Sequence, residues 1–294
     1  MTNRLELNWK LDGLVEEQRY YCSEYPIDPE NLPAPKDILL GDVRTYTDTS
    51  IEAQKTYYVR IGSVKNGVEK LSAEAISVFD QYLDRIVSLL HFNNGLNDET
   101  GRVWTNSGIE TTNDSKFGGS AARRWNIGSS MFTANTVDFE WWNPSGFTIE
   151  CFAKAPTATH SLTLNNAGRS DMICVTDDGE RTFDWGFGIN EKNVLSFGYW
   201  SGAARLIQGA KRLDDDEFHH IAFSYDGQHI RIFADGILEA SALKTGTPTR
   251  SNVPLRIGAG TVHATHKFTI DELRITKACR YIENFTPPVM AFKL

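Results

Sequence analysis

Two Asp-Gly pairs interrupt the clearest pattern in this sequence, which covers residues 219–242. Large apolar side chains recur at every second position up to Asp226-Gly227, then up to Asp235-Gly236, and the apolar run then continues. Asp-Gly between alternating runs is a strong hairpin signal, because a two-residue turn requires positive φ angles. The pattern therefore predicts a three-stranded antiparallel meander.

The remainder of the chain shows a similar pattern of short strands and turns. Short strand-like runs are separated by Gly, Asn and Asp, and almost no segment carries a sustained 3.6-residue apolar period. This pattern is typical of β-sandwiches and barrels. The length of 294 residues fits two domains, on a prior of roughly 100–200 residues per domain. We predict an all-β chain with domains at residues 1–80 and 81–294.

Charge and composition exclude several classes of partner. The net charge is −8 and no block is rich in Lys or Arg, so we expect neither nucleic acid nor membrane lipid as a partner. No apolar run approaches the roughly 18–20 residues that span a bilayer. The N-terminal residues lack the apolar segment of a secretory signal. We therefore expect a soluble chain made in the cytoplasm, without membrane insertion.

The cysteines give no metal or disulfide signature. Cys22, Cys151, Cys174 and Cys279 show no C-x-x-C spacing. Such spacing marks zinc and redox sites, and disulfides are rare in reducing compartments. We expect buried or free thiols.

Two adjacent acids, Asp271 and Glu272, lie in the otherwise apolar, strand-like run of residues 268–275. The apolar alternation slips by one residue at this pair, which indicates a local bulge. In a regular strand, neighbours point to opposite faces. Glycosidases need two carboxylates roughly 5–10 Å apart on one face, and Glu150 stands alone between its strand neighbours. The sequence therefore favours a protein without catalytic activity.

The adjacent pair His219 and His220 opens the meander. Alternation predicts that one ring faces the core and the other faces solvent. We expect hydrogen-bonded structural histidines rather than a metal site or a general base.

Five motifs occur in order from residue 86 onward: residues 89–101, 116–121, 147–152, 219–236 and 268–275. In this order they resemble the motifs of laminin-G-like jelly rolls of the concanavalin A-like type. The resemblance implies a jelly-roll sandwich for residues 81–294, of the kind carried by bacteriophage tail proteins.

In the N-terminal part, Trp9 lies in an early strand pattern, Tyr57 in a late Tyr-rich one, and Asn66-Gly67 predicts a hairpin turn after it. With these features the N-terminal residues resemble a fibronectin type III domain. The resemblance implies that Trp9 is the core tryptophan and that Tyr57 forms a tyrosine corner. The predicted fold is thus a fibronectin III-like β-sandwich followed by a concanavalin A-like jelly roll.

The jelly-roll resemblance also implies a structural calcium ion at Asp98 and Asp271, although no cofactor is required. The family's Phe-Asp-Gly is replaced here by residues 124–128, which removes one carboxylate. Calcium prefers six to eight oxygen ligands. The alternative is that Asp271 pairs locally with Arg274 or with a backbone N–H.

Sandwiches of this kind bind ligands at loop ends or on a sheet face. Sugar binding uses exposed aromatic rings for stacking and Asn, Asp or Arg for the hydroxyl groups. The candidate residues are Trp141, Trp142, Asn165, Arg169, Trp185, Tyr199 and Trp200.

The combined resemblance implies a bacteriophage tail or virion protein, located on the virion and made in the host cytoplasm. Its lectin-like domain would bind a host-surface glycan or protein. Its N-terminal domain would attach to other tail proteins, and homo-oligomers are expected because tails are symmetric. Two alternatives stay open at this point. One is a purely structural tail or decoration subunit without a ligand, and the other is a sandwich-fold glycan hydrolase.

Overall fold

The computed structural model of the chain divides into two compact units, Met1–Gln81 and Tyr82–Leu294. In the described residues, helical structure is limited to two short 3₁₀ turns, Leu83–Arg85 and Val137–Phe139, so the all-β prediction is confirmed. None of these turns is long and apolar enough to cross a membrane. The structure describes residues 4–52, 55–78, 80–93, 95–126, 128–157, 172–177, 182–190, 192–258 and 267–294.

The first unit contains two sheets. A five-stranded sheet has the order β3-β2-β5-β6, with β7 also paired to β5, and β1 pairs with β4 in a two-stranded sheet. The strands are β1 (Leu5–Asn8), β2 (Glu17–Ser23), β3 (Asp37–Leu40), β4 (Thr45–Asp48), β5 (Thr56–Lys65), β6 (Val68–Leu71) and β7 (Ala75–Val78).

The core of the first unit is small and aromatic. Tyr20 and Val59 are buried at its centre, and Trp9 packs against this cluster. Tyr57 is buried, and its hydroxyl accepts a hydrogen bond of 2.8 Å from the backbone N–H of Glu52. The fibronectin type III assignment of this unit stays a prediction.

The second unit contains two larger antiparallel sheets. The first has the order β10-β11-β22-β13-β18-β19-β20, with β8 also paired to β22, and is called the eight-stranded sheet. Its strands are β8 (Ile86–Leu90), β10 (Glu110–Thr112), β11 (Ala121–Arg124), β13 (Phe147–Lys154), β18 (His219–Tyr225), β19 (His229–Ala234), β20 (Ile237–Leu243) and β22 (Phe268–Thr276).

The other sheet has the order β17-β16-β15-β14-β21-β12-β9 and is called the seven-stranded sheet. Its strands are β9 (Thr105–Ser107), β12 (Ser130–Thr133), β14 (Ile173–Thr176), β15 (Phe183–Ile189), β16 (Val194–Trp200), β17 (Ala204–Arg212) and β21 (Leu255–Ile257).

The predicted meander is confirmed as β18, β19 and β20, which pair in sequence order. Both of its turns contain a glycine at positive φ, 100° at Gly227 and 76° at Gly236. Asp235 also has a positive φ of 50°. The turn chemistry read from the sequence therefore accounts for this part of the fold.

Trp141 fills the space between the two large sheets. Its ring is fully buried and meets four aromatic rings edge-on, with centroid distances from 4.9 to 5.6 Å. Phe197 and Tyr199 come from the seven-stranded sheet, whereas Phe223 and Tyr225 come from the eight-stranded sheet. Edge-to-face aromatic packing of this kind adds about 0.5–1.5 kcal/mol per pair beyond area burial.

The bulge predicted at the adjacent acids is confirmed in β22. The pairing register with β13 shifts at this point, and Glu272 has a positive φ of 53°. Ile270 and Leu273 both belong to the core between the sheets, so the two acids between them share the outer face. The prediction that Asp271 and Glu272 point to opposite faces is wrong, because the extra residue of a bulge interrupts the alternation of a regular strand.

Candidate functional site

Three of the predicted ligand-binding rings lie in the core. Trp141, Trp185 and Tyr199 are 0%, 1% and 2% exposed and pack between the two large sheets. A buried ring offers no face to a ligand. These three predictions are therefore corrected, because the alternation of β15 and β16 turns Trp185 and Tyr199 towards the core.

The other predicted residues differ in exposure. Trp142 is half-buried and packs edge-on against Trp141, with ring centroids 6.0 Å apart. Trp200 ends β16 and is 44% exposed, because it points to the face opposite that of Tyr199. Asn165 and Arg169 lie outside the described residues.

A buried carboxylate lies beside Trp200. Strands β15 and β16 pair with Trp185 opposite Tyr199, so the next pair in this register is Asp184 and Trp200. Directly opposed side chains of an antiparallel pair lie about 4.5–5.5 Å apart at Cβ. Asp184 is 2% exposed, and its Oδ1 has no hydrogen-bond partner. A polar acceptor therefore lies directly across from the exposed indole.

Burial raises the pKa of Asp184. A hydrogen bond from a backbone N–H lowers this pKa, but by less than burial raises it. That N–H belongs to Ser251, which donates to Oδ2 at 2.7 Å. A carboxyl group with one unpartnered oxygen and a raised pKa gains from a further hydrogen-bond donor.

One loop is attached to both residues. The N–H of Thr249 donates to the carbonyl of Trp200 at 2.9 Å, and Ser251 binds Asp184. Between these two anchors, the Arg250 side chain is exposed and forms an ion pair with Glu140 at 3.1 Å. We define the Trp200 face as Asp184, Trp200 and residues 249–251.

The Trp200 face combines the groups that saccharide binding requires. An exposed indole presents an apolar surface to the C–H groups of a pyranose ring. Arg250 supplies hydrogen-bond donors at the rim. The buried carboxylate of Asp184 binds the N–H of Ser251 and so anchors the loop that carries Arg250. Sequence reasoning had missed both Asp184 and Arg250, because only their position beside Trp200 in the fold distinguishes them from other charged residues.

The predicted calcium ligands do not fit the ion. Asp98 accepts hydrogen bonds on both oxygens, from the N–H groups of Leu89 and Thr100, from the Thr100 hydroxyl and from the Trp104 indole N–H. Asp271 accepts a bond of 2.7 Å from the N–H of Lys116, 155 positions away, and one of 3.0 Å from the N–H of Glu272, which is the local backbone alternative expected for it. No three His, Cys, Asp or Glu side chains in the described ranges are arranged to hold a metal.

Both histidines of the pair are buried and hydrogen-bonded, so the prediction that one faces solvent is wrong. His219 lies 2.7 Å from Asp235 and 2.9 Å from Asp215 through its two ring nitrogens. The hydrogen bond to Asp235 is the main cause of the raised pKa of His219. Burial lowers this pKa, and the carboxylate of Asp215 raises it further. His220 lies 3.1 Å from Glu150 on the outer face of the eight-stranded sheet.

Glu150 has several protein partners, contrary to the expectation that it stands alone. Burial alone would raise its pKa, but the charge of Arg274, the His220 contact and the charge of Arg280 outweigh burial and lower it. Tyr281 donates to the same carboxylate at 2.7 Å. This carboxylate is therefore occupied by structural contacts.

Comparison with known proteins agrees with the two-sheet architecture. A family model described as the concanavalin A-like lectin/glucanases superfamily matches residues 126–281. None of the curated proteins is similar enough in sequence to match.

Solved structures that share the fold include three toxin binding domains. The binding domain of Paraclostridial Mosquitocidal Protein 1 has 13% identity and a TM-score of 0.56, over 67% of this chain and 50% of that one. The Botulinum neurotoxin type G receptor binding domain has 15% identity and a TM-score of 0.50, over 67% and 49%. The Botulinum neurotoxin serotype D binding domain has 10% identity and a TM-score of 0.51, over 68% and 49%. The aligned part thus spans about half the length of each neurotoxin or mosquitocidal domain, and at these identities the likeness shows the fold alone.

Proposed function

Because the chain belongs to the concanavalin A-like lectin/glucanases superfamily, we propose that it binds saccharides through the Trp200 face. The observation that carries this proposal is the exposed indole of Trp200 beside a loop that presents the exposed Arg250 side chain and is bound to the Trp200 carbonyl and to Asp184. The ring would stack on the apolar face of a sugar. Arg250 would then bind its hydroxyl groups.

The state of the buried carboxylates favours binding over hydrolysis. Glycoside hydrolysis needs one carboxyl group as an acid and a second as a base or nucleophile, both open to substrate. Glu150 and Glu272 accept hydrogen bonds from Tyr281 and from the N–H of Phe292, respectively, and both are buried. Asp184 has no second carboxylate paired with it across the strand.

The biological setting belongs to the same proposal and is supported by the sequence resemblance alone. In this setting the protein is part of a bacteriophage tail or virion and binds a host-surface glycan. A fibronectin III-like domain at residues 1–80 would attach it to other tail proteins, and the protein would act as a homo-oligomer.

A glycan array tests the proposal. The wild-type chain, Trp200→Ala and Arg250→Ala would be compared with Ile237→Ala, a control at a residue of the other sheet that is 53% exposed. We expect Trp200→Ala to weaken binding roughly tenfold, or about 1.4 kcal/mol, and Ile237→Ala to bind as wild type.

Three results would overturn the proposal. Wild-type chain that binds no glycan would favour the structural subunit, and bound glycan that releases reducing sugar would favour the hydrolase. Unchanged binding by Trp200→Ala would place any saccharide site elsewhere.

A further inference from the structure

A second exposed tryptophan lies beside two cations on the other large sheet. Trp125 follows β11 and is 43% exposed. The Lys267 ammonium lies 4.4 Å from the centroid of its ring, and the Arg123 guanidinium lies 5.2 Å away. Strands β11 and β22 pair with Arg124 opposite Phe268, so extending this register by one pair places Lys267 opposite Trp125. Strand pairing therefore positions Lys267, whereas Arg123 lies two residues before Trp125 along the same chain segment and so on the same side.

The charges around this ring do not cancel. Arg123 forms an ion pair of 3.0 Å with Glu110, whose other oxygen accepts a bond of 3.4 Å from the Asn126 amide. Both oxygens of Glu110 are thus occupied. Lys267 has no ion-pair partner in the part of the chain that the structure describes. One positive charge next to an exposed indole is therefore left for a ligand.

We propose that Arg123, Trp125 and Lys267, named the Trp125 cluster, form a second site that binds carboxylate-bearing saccharides. The exposed part of the indole would carry the apolar face of the sugar ring. The carboxylate would lie against the Lys267 ammonium and the nearby Arg123 guanidinium, which are the natural donors for such a group.

The chemistry of the cluster selects this class of ligand. A simple anion gains no binding energy from stacking on the indole. A neutral sugar gains none from the charge of the Lys267 ammonium. A sugar acid engages both groups at once. Since an exposed ion pair contributes about 0.2–1 kcal/mol, binding should be weak and should decrease with added salt.

This site is independent of the Trp200 face. Trp125 follows a strand of the eight-stranded sheet, whereas Trp200 ends a strand of the seven-stranded sheet. A failure at one tryptophan therefore leaves the argument at the other intact.

The test is a titration of the full chain with glucuronate and with N-acetylneuraminate, and with glucose as the neutral match for glucuronate. Saturation-transfer NMR or calorimetry would report binding. We expect both acids to bind better than glucose, with an affinity that falls as sodium chloride is added. Lys267→Ala should weaken binding roughly threefold to fivefold, the size of one exposed ion pair.

Matched variants separate the contribution of the Lys267 charge from that of the Trp125 ring. Lys267→Arg keeps the charge and should retain binding, whereas Trp125→Ala should lose it. Ile237→Ala, an exposed residue of the same sheet outside the cluster, should bind glucuronate as wild type. Thermal unfolding of each variant checks that the exposed substitutions leave the fold intact.

Several outcomes would overturn the proposal. Equal affinity for glucose and glucuronate would show that the positive charge does not contribute to binding. Unchanged binding by Trp125→Ala would show that the indole ring does not contribute. Sulfate that displaces glucuronate completely and binds Trp125→Ala as tightly as wild type would indicate a simple anion site. An acidic peptide that binds the cluster more tightly than either sugar acid would indicate a protein partner instead.

Discussion

Glu150 and Arg274 lie opposite each other on the paired strands β13 and β22 and form a buried ion pair. Arg274 places its Nε 3.0 Å and its Nη2 2.9 Å from Oε1 of Glu150. The Phe292 ring lies 4.0 Å from the guanidinium and covers it. The pair therefore holds the C-terminal segment on the outer face of the eight-stranded sheet.

Removing the charge of Glu150 should destabilise the second unit strongly. Breaking a buried ion pair costs about 3–5 kcal/mol, since the remaining charge is left without compensation. Tyr281→Phe removes only one hydrogen bond to the same carboxylate and should cost about 1–2 kcal/mol. Urea unfolding of Glu150→Ala and Tyr281→Phe measures both effects. Equal losses for the two variants would show that the ion pair contributes nothing beyond one hydrogen bond.

His219 should make stability depend on pH. Its pKa is raised in the folded state, mainly by Asp235 and also by Asp215, so folding favours the protonated ring. This contribution is complete below the unfolded pKa of about 6.5 and is lost as pH rises through the higher folded pKa. The free energy of unfolding should therefore decrease as pH rises above about 6.5.

His219→Gln should reduce this decrease, whereas His229→Gln is the matched control because His229 lies on the same sheet with a side chain that is 39% exposed. Unfolding curves at several pH values give the comparison. An unchanged slope for His219→Gln would refute the assignment.

Gly236 should tolerate no side chain. It has a positive φ, and a Cβ at this position would overlap the carbonyl oxygen of Phe285. Gly118 also has a positive φ, of 88°, but nothing lies within 4 Å of an added Cβ. We expect Gly118→Ala to cost about 1–2 kcal/mol from backbone strain alone. Gly236→Ala should cost about 3 kcal/mol or more, because the chain around Phe285 must move. Similar melting temperatures for the two variants would contradict the contact.

Local signals explain why the strand topology around the meander could be predicted. The Asp-Gly turns need no information beyond four or five residues, because their φ angles are set by the residues themselves. The same holds at Asn66 and Gly67, whose φ angles of 49° and 72° join β5 to β6. These hairpins could be predicted from the sequence.

The burial of the aromatic rings could not be predicted in the same way. Alternation in β16 places Tyr199 and Trp200 on opposite faces, but it does not say which face meets the other sheet. That choice depends on Phe223 and Tyr225, which reach the same core from β18. From the sequence alone, Trp200 was therefore one of several candidates for an exposed ring. The packing of the two sheets was needed to distinguish it.

The charged clusters depend on contacts that are distant in sequence. Arg274 lies 124 positions from Glu150, and His91 lies 181 positions from Glu272. Neither pairing leaves a local pattern. The bulge at Asp271 was visible as a slip in alternation, but its effect on the direction of the two acids required the register with β13.

The most direct test of saccharide binding uses the indole N–H resonances of the seven tryptophans. The protein would be labelled with ¹⁵N and titrated with the strongest neutral glycan from the array, with Trp200→Ala identifying the Trp200 signal. We predict that the Trp200 resonance shifts, while those of Trp141 and Trp185 in the core stay in place. A glycan that binds without moving the Trp200 resonance would contradict the account.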